Sequence, residues 1–173
     1  METERLLVRK PQPADAAQFL PIRNSAYVLR YNGMREVSQQ ELEEEIAKGE
    51  GSFYLELKAT NQVIGAIDLE ADTLRHKVNA TCISYYLGEA YAGKGYMSEA
   101  VLCVMRYAFC TLGYEIMALR AFEENEASLR LAKRLGFVYE GRLRHAVKGY
   151  GDVIHNDMLF SMTAEEFIQK YGE

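Results

Sequence analysis

Apolar and polar positions along the chain form a pattern that predicts strands and helices in turn. Short segments that alternate in polarity, or that are continuously apolar, predict seven strands. These strands are 6–10, 53–58, 63–71, 80–87, 116–122, 138–148 and 153–162. Apolar residues three and four apart predict a long helix from Met97 to about Leu112, which Gly113 ends.

Capping patterns predict where two other helices begin. A Ser-x-x-Glu capping box at 38–41 opens an acidic helix that Gly49 ends. A Thr-x-x-Glu box at 163–166 opens a short closing helix in the same way. A further helix is predicted over 125–135, followed by a glycine.

The start of the chain gives a weaker pattern. Asp15 is expected to cap a first helix, and Pro21 is expected to kink or end that helix because it lacks an amide hydrogen. Residues 27–37 show little periodicity and are predicted to form a loop and a short helix. Strands before and after two strand-helix units predict a mixed sheet with helices on both faces, an α/β fold.

Composition and charge narrow the class of protein. The chain has 173 residues, 49% of them hydrophobic, which suits one domain with a sizeable core. No apolar run approaches the roughly 18 residues that cross a membrane, and the polar start is unlike a secretory signal, so a cytoplasmic protein is expected. The net charge of −5 argues against nonspecific nucleic-acid binding. The three cysteines lack a C-x-x-C pair, so free and mostly buried thiols are expected.

A glycine-rich loop between a predicted strand and the long helix is the main chemical signal. Gly88, Gly93 and Gly95 follow the strand at 80–87, and the helix begins directly after them. The first amides of a helix have no internal partner, and the helix dipole favours negative charge there. Glycines let a phosphate approach the backbone, and Lys94 adds a positive charge. The expected ligand is a phosphate or a pyrophosphate.

Two common phosphate motifs match this loop incompletely. Residues 88–94 spell G-x-x-x-x-G-K, but Gly95 replaces the Ser or Thr that holds magnesium in a nucleoside-triphosphate P-loop. The dinucleotide pattern G-x-G-x-x-G has Ser98 in place of its third glycine, and the loop lies in mid-chain instead of after a first strand. A tight turn without ligand is a further interpretation of any isolated glycine loop.

The loop resembles a third phosphate motif. Residues 93–100 read G-K-G-Y-M-S-E-A, which is similar to the G-x-G-Y-x-x-E-A segment of the GNAT N-acetyltransferase superfamily, where it binds the acetyl-CoA pyrophosphate. The resemblance covers nearly the whole chain and is strongest to the RimJ/RimL-like branch, the ribosomal-protein N-terminal acetyltransferases. The other segments that carry it are 3–9 with Asp15, 125–128, 135–137 and 140–144.

The resemblance implies a fold in more detail than the pattern does. Residues 1–173 would form one GNAT-like domain with a mixed, mostly antiparallel seven-stranded sheet and helices on both faces. In this family the strands on either side of the glycine loop and its helix are parallel and splay apart. The pantetheine arm of acetyl-CoA lies in the resulting gap.

The resemblance also implies the residues that bind acetyl-CoA. Backbone amides at Tyr86 and Leu87 would hold pantetheine and the thioester carbonyl. Asn125 would bond the pantetheine arm, or serve only as a helix N-cap. Lys133 would meet the adenosine 3′-phosphate, or lie on the surface. The pyrophosphate would bind amides of Ala92, Gly93, Lys94, Gly95, Tyr96, Met97 and Ser98.

Catalytic residues are less clearly marked. Ser128, at the family position N-x-x-S, is the candidate general acid near the sulfur, although a serine one turn into a helix also bonds locally. Ala132 stands where N-terminal acetylases of the peptidyl type have a tyrosine acid, and Val147 corresponds to a position where the ribosomal branch can carry a glutamate base. Glu89 and His145 are therefore the candidate bases, since each can accept a proton if it lies near the amine.

Two further features bear on the cofactor and the acceptor. Ala90 replaces the Gln or Arg that often opens the pyrophosphate motif, so one cofactor contact is lost. Tyr31, Tyr85 and Tyr150 are candidates to line the acceptor pocket or to pack in the core.

The resulting prediction is an N-acetyltransferase that uses acetyl-CoA and no metal. A primary amine would attack the thioester directly in a ternary complex, and the branch resemblance favours a protein or peptide N-terminal amine. A small amine, amino acid, polyamine or antibiotic is the alternative acceptor. A non-catalytic CoA-binding module is the main rival from another class, and a homodimer is compatible with the family.

Overall fold

Seven strands form one mixed sheet in the computed structural model, which describes residues 1–49 and 51–172. The spatial order of the strands is β1-β2-β3-β4-β5-β7-β6. Every neighbouring pair is antiparallel except β4 and β5, which are parallel. The bounds are β1 (Leu6–Arg9), β2 (Ser52–Leu57), β3 (Gln62–Ala71), β4 (Ala80–Leu87), β5 (Ile116–Phe122), β6 (Val138–Lys148) and β7 (Ile154–Thr163). All seven predicted strands are thus confirmed.

The described residues contain six α-helices, and the capping boxes begin two of them as predicted. Ser38 Oγ accepts from the amide of Glu41, and the Glu41 carboxylate accepts from the amide of Ser38. The last helix begins in the same way at Thr163. The bounds are α1 (Ala16–Arg23), α2 (Ala26–Leu29), α3 (Gln39–Lys48), α4 (Tyr96–Arg106), α5 (Glu126–Leu135) and α6 (Ala164–Tyr171). None of these helices is both long and apolar enough to cross a membrane.

The predicted cap of the first helix is wrong. The Asp15 side chain makes no capping bond to α1. Its two carboxylate oxygens instead accept from the Arg9 guanidinium at 2.8 Å each, and one of them also accepts from the Gln12 amide at 2.7 Å. The buried carboxylate is drawn to the arginine because an unpaired buried charge is costly. Pro21 lies inside α1, which ends two residues later at Arg23.

Helices pack on both faces of the sheet, as predicted. The larger core lies between the sheet and α4, α5 and α6, and it includes Ile83, Leu119 and Phe167. A smaller core on the other face joins α1 and α3 to β2 and β3. Cys82 and Cys103 are half-buried, whereas Cys110 is exposed, contrary to the expectation of mostly buried thiols. Cys110 lies in the single π-helical turn Tyr107–Thr111 that follows α4.

Candidate active site

The parallel strands β4 and β5 separate halfway along their length. Their pairing runs from Ala80 opposite Ile116 to Ile83 opposite Leu119 and is not continued by the described residues beyond that point. From there β4 pairs only with β3, and β5 only with β7. The predicted splayed pair is therefore confirmed, and it leaves one edge of residues 84–87 open.

The hydrogen bonds on the other side of β4 show which backbone groups face this gap. The Gly88 amide donates to the Ile64 carbonyl of β3 at 2.8 Å. Because successive backbone groups point to opposite sides of a strand, the Leu87 and Tyr85 amides face the gap and the Tyr86 amide faces β3. The Leu87 amide is thus free of β3 and faces the gap, whereas Tyr86 borders the cavity without directing its amide into the gap.

Two cavities meet at the gap. The first, of about 400 Å³, lies between the glycine loop and α5. The second, of about 350 Å³, lies between the carboxyl-terminal part of β3, the facing parts of β4 and β5, and residues 31–33. Among the described residues, both cavities share Tyr31, Asn32, Tyr85, Asn125 and Ser128. Two ligands that enter from opposite sides would therefore meet at these residues.

The glycine loop has the geometry of an anion cradle. Gly93 and Gly95 have φ of 73° and 82°, which L-residues with side chains rarely adopt. Gly95 directly precedes α4, so the first amides of the helix point toward the loop without intrahelical partners. A Cβ built at Gly93 meets no atom within 4 Å, so a ligand can approach the backbone closely there. These features fit the pyrophosphate of a CoA thioester.

Glu99 joins the loop to the start of the chain. Its carboxylate accepts from the Arg5 amide at 2.9 Å, from Arg5 Nε at 2.7 Å and from the Thr3 hydroxyl. The Arg5 guanidinium also donates to the Lys94 carbonyl at 2.9 Å and lies 4.4 Å from the centre of the Tyr96 ring. The acidic residue of the G-x-G-Y-x-x-E-A segment therefore holds the loop in shape.

Replacing Glu99 by glutamine should destabilise the protein modestly. Burial alone would raise the pKa of Glu99, but hydrogen bonds from Thr3 and Arg5 lower it below the ordinary value of 4.5. Because the folded pKa is lower than the unfolded one, this stabilisation is complete above pH 4.5 and is lost as the pH falls through the folded pKa. Since Arg5 is partly exposed, we expect a loss of about 1 kcal/mol, or about 2–4 °C in the unfolding midpoint.

Thermal unfolding at neutral and acidic pH measures this effect. The difference between wild type and Glu99→Gln should shrink as the pH falls below 4.5. Glu126→Gln is the control, because Glu126 forms a surface pair with Arg130 and both side chains are well exposed. A midpoint shift no larger for Glu99→Gln than for Glu126→Gln would contradict the role of Glu99.

The arginines of α5 border the first cavity, and sequence reasoning missed them. Arg130 and Arg134 line it one turn apart, and Arg134 donates to the Ser98 hydroxyl at the start of α4. Lys133 is not among the described residues that line either cavity. The Lys94 side chain does not line the first cavity, because its ammonium group donates to the Ala90 carbonyl at 2.8 Å. The four-residue spacing of the two arginines indicates in the sequence that they share one helix face.

Replacing Arg134 by alanine should weaken acetyl-CoA binding by about tenfold. A charge-assisted hydrogen bond to a phosphate contributes about 1.5–3 kcal/mol, and the exposure of Arg134 places the expected loss of binding free energy at the lower end. Lys133→Ala removes the same charge from the neighbouring position and should change the dissociation constant less than twofold. Isothermal titration of both variants with acetyl-CoA makes the comparison, and equal losses of affinity would contradict a phosphate contact at Arg134.

Ser128 lies at the junction of the two cavities. It is 7% exposed, and its amide donates to Asn125 Oδ1 at 3.2 Å, so Asn125 is the N-cap of α5. The Ser128 hydroxyl lies 2.6 Å from the Tyr85 hydroxyl on β4. Burial raises the pKa of Tyr85 to about 12, although the hydrogen bond with Ser128 acts in the opposite direction. Tyr85 therefore keeps its proton at neutral pH.

The two candidate bases lie elsewhere. Glu89 is exposed in a 3₁₀ turn after β4, and His145 is exposed in β6 with its amide donating to Asn156 Oδ1 at 2.9 Å. Neither lines either cavity within the described part of the chain. Alternation along a strand and loop length do not determine how close a residue lies to a cavity, so a base role for either residue stays a prediction.

Three carboxylates and one arginine, Arg120, line the second cavity, and no sequence motif predicts them. Its carboxylates are Glu70, Asp72 and Asp157. Arg120 pairs with Asp157 at 2.6 Å, and Arg75 pairs with Asp72 at 2.5 Å. In the sequence, the acidic lining is indicated by Glu70 and Asp72 at the end of β3. Across residues 1–49 and 51–172, no group of three or more His, Cys, Asp or Glu side chains is placed to hold a metal ion.

Comparison with known proteins identifies the class that this fold and site define. Residues 5–138 match the family model of the acetyltransferase (GNAT) domain, so the chain belongs to the GNAT family and is an acetyltransferase. An uncharacterized N-acetyltransferase of Bacillus subtilis, the SPbeta prophage-derived YokL, is 31% identical over 180 residues. That match covers 98% of this chain and 96% of the relative.

Solved structures share the fold at lower identity. The ribosomal-protein-S5-alanine acetyltransferase from Vibrio fischeri has a TM-score of 0.83 at 22% identity, covering 96% of this chain and 97% of its own. RimL, a ribosomal alpha-N-protein acetyltransferase in complex with coenzyme A, has a TM-score of 0.80 at 19% identity, covering 95% and 97%. A spermidine N-acetyltransferase SpeG chimera from Vibrio cholerae and hSSAT has the same score and identity, covering 95% and 99%.

Proposed function

We propose that residues 1–173 form one acetyl-CoA-dependent N-acetyltransferase domain that acetylates a protein or peptide N-terminal amine. The observation that carries the proposal is the Tyr85–Ser128 hydroxyl pair at the junction of two cavities, because one cavity ends at an anion cradle and the other is acidic. An ammonium group is attracted to an acidic cavity, and a pyrophosphate to the cradle. Both substrates bind together, and no covalent enzyme intermediate or metal is part of the proposal.

The first cavity has the groups that acetyl-CoA needs. The Leu87 amide faces the gap where pantetheine would lie, and Asn125 borders it. Loop and helix amides over 92–98, with Arg134, would hold the pyrophosphate. When bound, acetyl-CoA supplies the acetyl group as an activated thioester. A related structure that contains coenzyme A supports this assignment.

Ser128 is proposed to donate a proton to the leaving sulfur. In the overall reaction a carbon–nitrogen bond forms, the carbon–sulfur bond breaks, the amine loses one proton and the sulfur gains one. The acceptor amine lies in the second cavity in this proposal, where Glu70 is a carboxylate for which no arginine or lysine partner is found in residues 1–49 and 51–172. Glu89 and His145 are not assigned the base role, because neither borders the cavities.

Small polyamines are the second candidate acceptors. The acidic lining of the second cavity would attract a polycation as well as an N-terminal ammonium group. The fold resembles that of a spermidine acetyltransferase chimera, in addition to that of a ribosomal-protein acetyltransferase. Fold and cofactor do not determine which acceptor is used.

An acetylation assay with matched acceptors tests the proposal. Acetyl-CoA is incubated with a peptide that has a free N-terminus and no lysine, with the same peptide Nα-formylated, and with spermidine. Mass spectrometry locates the acetyl group, and thiol release gives the rate. We expect transfer to the free peptide and none to the formylated one. Transfer to spermidine alone would favour the second candidate, and acetyl-CoA binding without transfer to any acceptor would favour the non-catalytic module.

A further inference from the structure

One hydrogen bond joins β4 to α5, the helix that follows β5. Tyr85 belongs to β4 and Ser128 to α5, and they are 43 positions apart in the chain. Their hydroxyl oxygens are 2.6 Å apart, and both residues line both cavities. The bond therefore lies where the two substrates of the proposed reaction would meet.

Tyr85 is held by packing and not by its hydroxyl. It packs against the larger core, on the same face of β4 as Ile83 and Leu87. On the neighbouring strand it is opposite Ile67, which is fully buried. The ring is thus fixed while the hydroxyl reaches the junction of the cavities, and removing the oxygen alone should leave this packing largely intact.

The Ser128 hydroxyl, unlike the Tyr85 ring, is not held in place by packing. It is the third residue of α5, where a serine hydroxyl can rotate to bond a nearby backbone group instead. Its backbone is fixed by the Asn125 cap, but this bond does not orient the hydroxyl. Among the hydrogen bonds of the described residues, the bond to Tyr85 is the one that fixes the Ser128 oxygen.

We propose that Tyr85 is a positioning residue that donates its hydroxyl hydrogen to Ser128 Oγ and so directs the Ser128 proton into the cavities. This inference rests on the proposed function, in which Ser128 gives that proton to the leaving sulfur. Negative charge then develops on Ser128 Oγ, and the bond from Tyr85 stabilises it. The acceptor ammonium releases one proton to solvent before it attacks as a neutral amine, and the proton that the nitrogen loses after the attack restores Ser128, so the protons balance.

The test is a double-mutant cycle on the whole chain, with wild type, Tyr85→Phe, Ser128→Ala and the double variant. We expect Tyr85→Phe to lower kcat about tenfold, as loss of one hydrogen bond to a developing charge would, with KM for acetyl-CoA changed less than twofold. In the double variant, kcat should equal that of Ser128→Ala, because Tyr85 acts only through the serine. Additive losses would overturn the inference.

Tyr171→Phe is the matched control. Tyr171 is half-buried against the same core, and its hydroxyl donates to the Leu135 carbonyl at 2.9 Å. It lines neither cavity within the described residues. This variant should lose a similar amount of stability and keep the wild-type kcat, so a purely structural effect of Tyr85→Phe would appear in both.

The activity of the wild type distinguishes failure of the positioning role from failure of the proposed function. If wild type acetylates an amine and Tyr85→Phe has the same kcat, the positioning role is overturned and the proposed function stands. If wild type acetylates no amine, the proposed function is overturned, and the inference with it.

Discussion

Replacing Ser128 by alanine should lower kcat for acetyl transfer by about 10²- to 10³-fold. A positioned general acid typically contributes about 10²- to 10⁴-fold, and solvent can replace part of this contribution. The serine lies at the junction of the two cavities and has a hydrogen-bond partner there. Because the variant leaves the cofactor cradle unchanged, KM for acetyl-CoA should remain within about threefold of wild type. Initial rates of thiol release over a range of acetyl-CoA concentrations measure both constants.

Ser161→Ala is the control for this prediction. Ser161 is also a buried serine, on β7, and its hydroxyl donates to Glu140 at 2.8 Å. It borders neither cavity in the part of the chain that the structure describes. This variant should keep the wild-type kcat even if its unfolding midpoint falls. A Ser128→Ala variant with wild-type kcat would show that the leaving sulfur obtains its proton elsewhere.

Replacing Gly93 by alanine should weaken acetyl-CoA binding by about 10- to 100-fold. The residue has φ of 73°, where a side chain costs roughly 1–2 kcal/mol. The new methyl group would also occupy open space beside the first cavity, in the path of the phosphate. Loss of one charge-assisted hydrogen bond between the loop and the phosphate costs about 1.5–3 kcal/mol of binding free energy, which accounts for a loss of affinity of this size. Isothermal titration with acetyl-CoA gives the dissociation constants.

Gly113 provides a closely matched control. Its φ is 72°, and a Cβ built there also meets no atom within 4 Å. It follows the other end of the α4 region and borders neither cavity within residues 1–49 and 51–172. Gly113→Ala should therefore lose as much stability as Gly93→Ala and bind acetyl-CoA like wild type. Equal affinities for the two variants would contradict the role of the loop as the phosphate cradle.

Local patterns in the sequence determined most of the fold. All seven strands, the capping boxes at Ser38 and Thr163, and the glycine loop before α4 lie where the sequence predicts them. Such features depend on neighbouring residues only, since hydrophobic period, cap chemistry and positive φ are properties of a short segment. The first helix departs from its pattern because Asp15 pairs with Arg9 of β1. That contact depends on how the two segments pack.

The tertiary structure decided which side chains reach the site. Sequence spacing defines a face of an element, but packing decides what that face meets. The rotation of α5 places Arg134, and not Lys133, beside the glycine loop. Folding also brings Tyr85 to Ser128 and leaves Glu89 and His145 away from both cavities. The sequence by itself therefore determined the elements, the GNAT resemblance and the glycine loop. Only the packing of α5 against the splayed strands decided the hydroxyl pair, because that pair joins segments far apart in the chain.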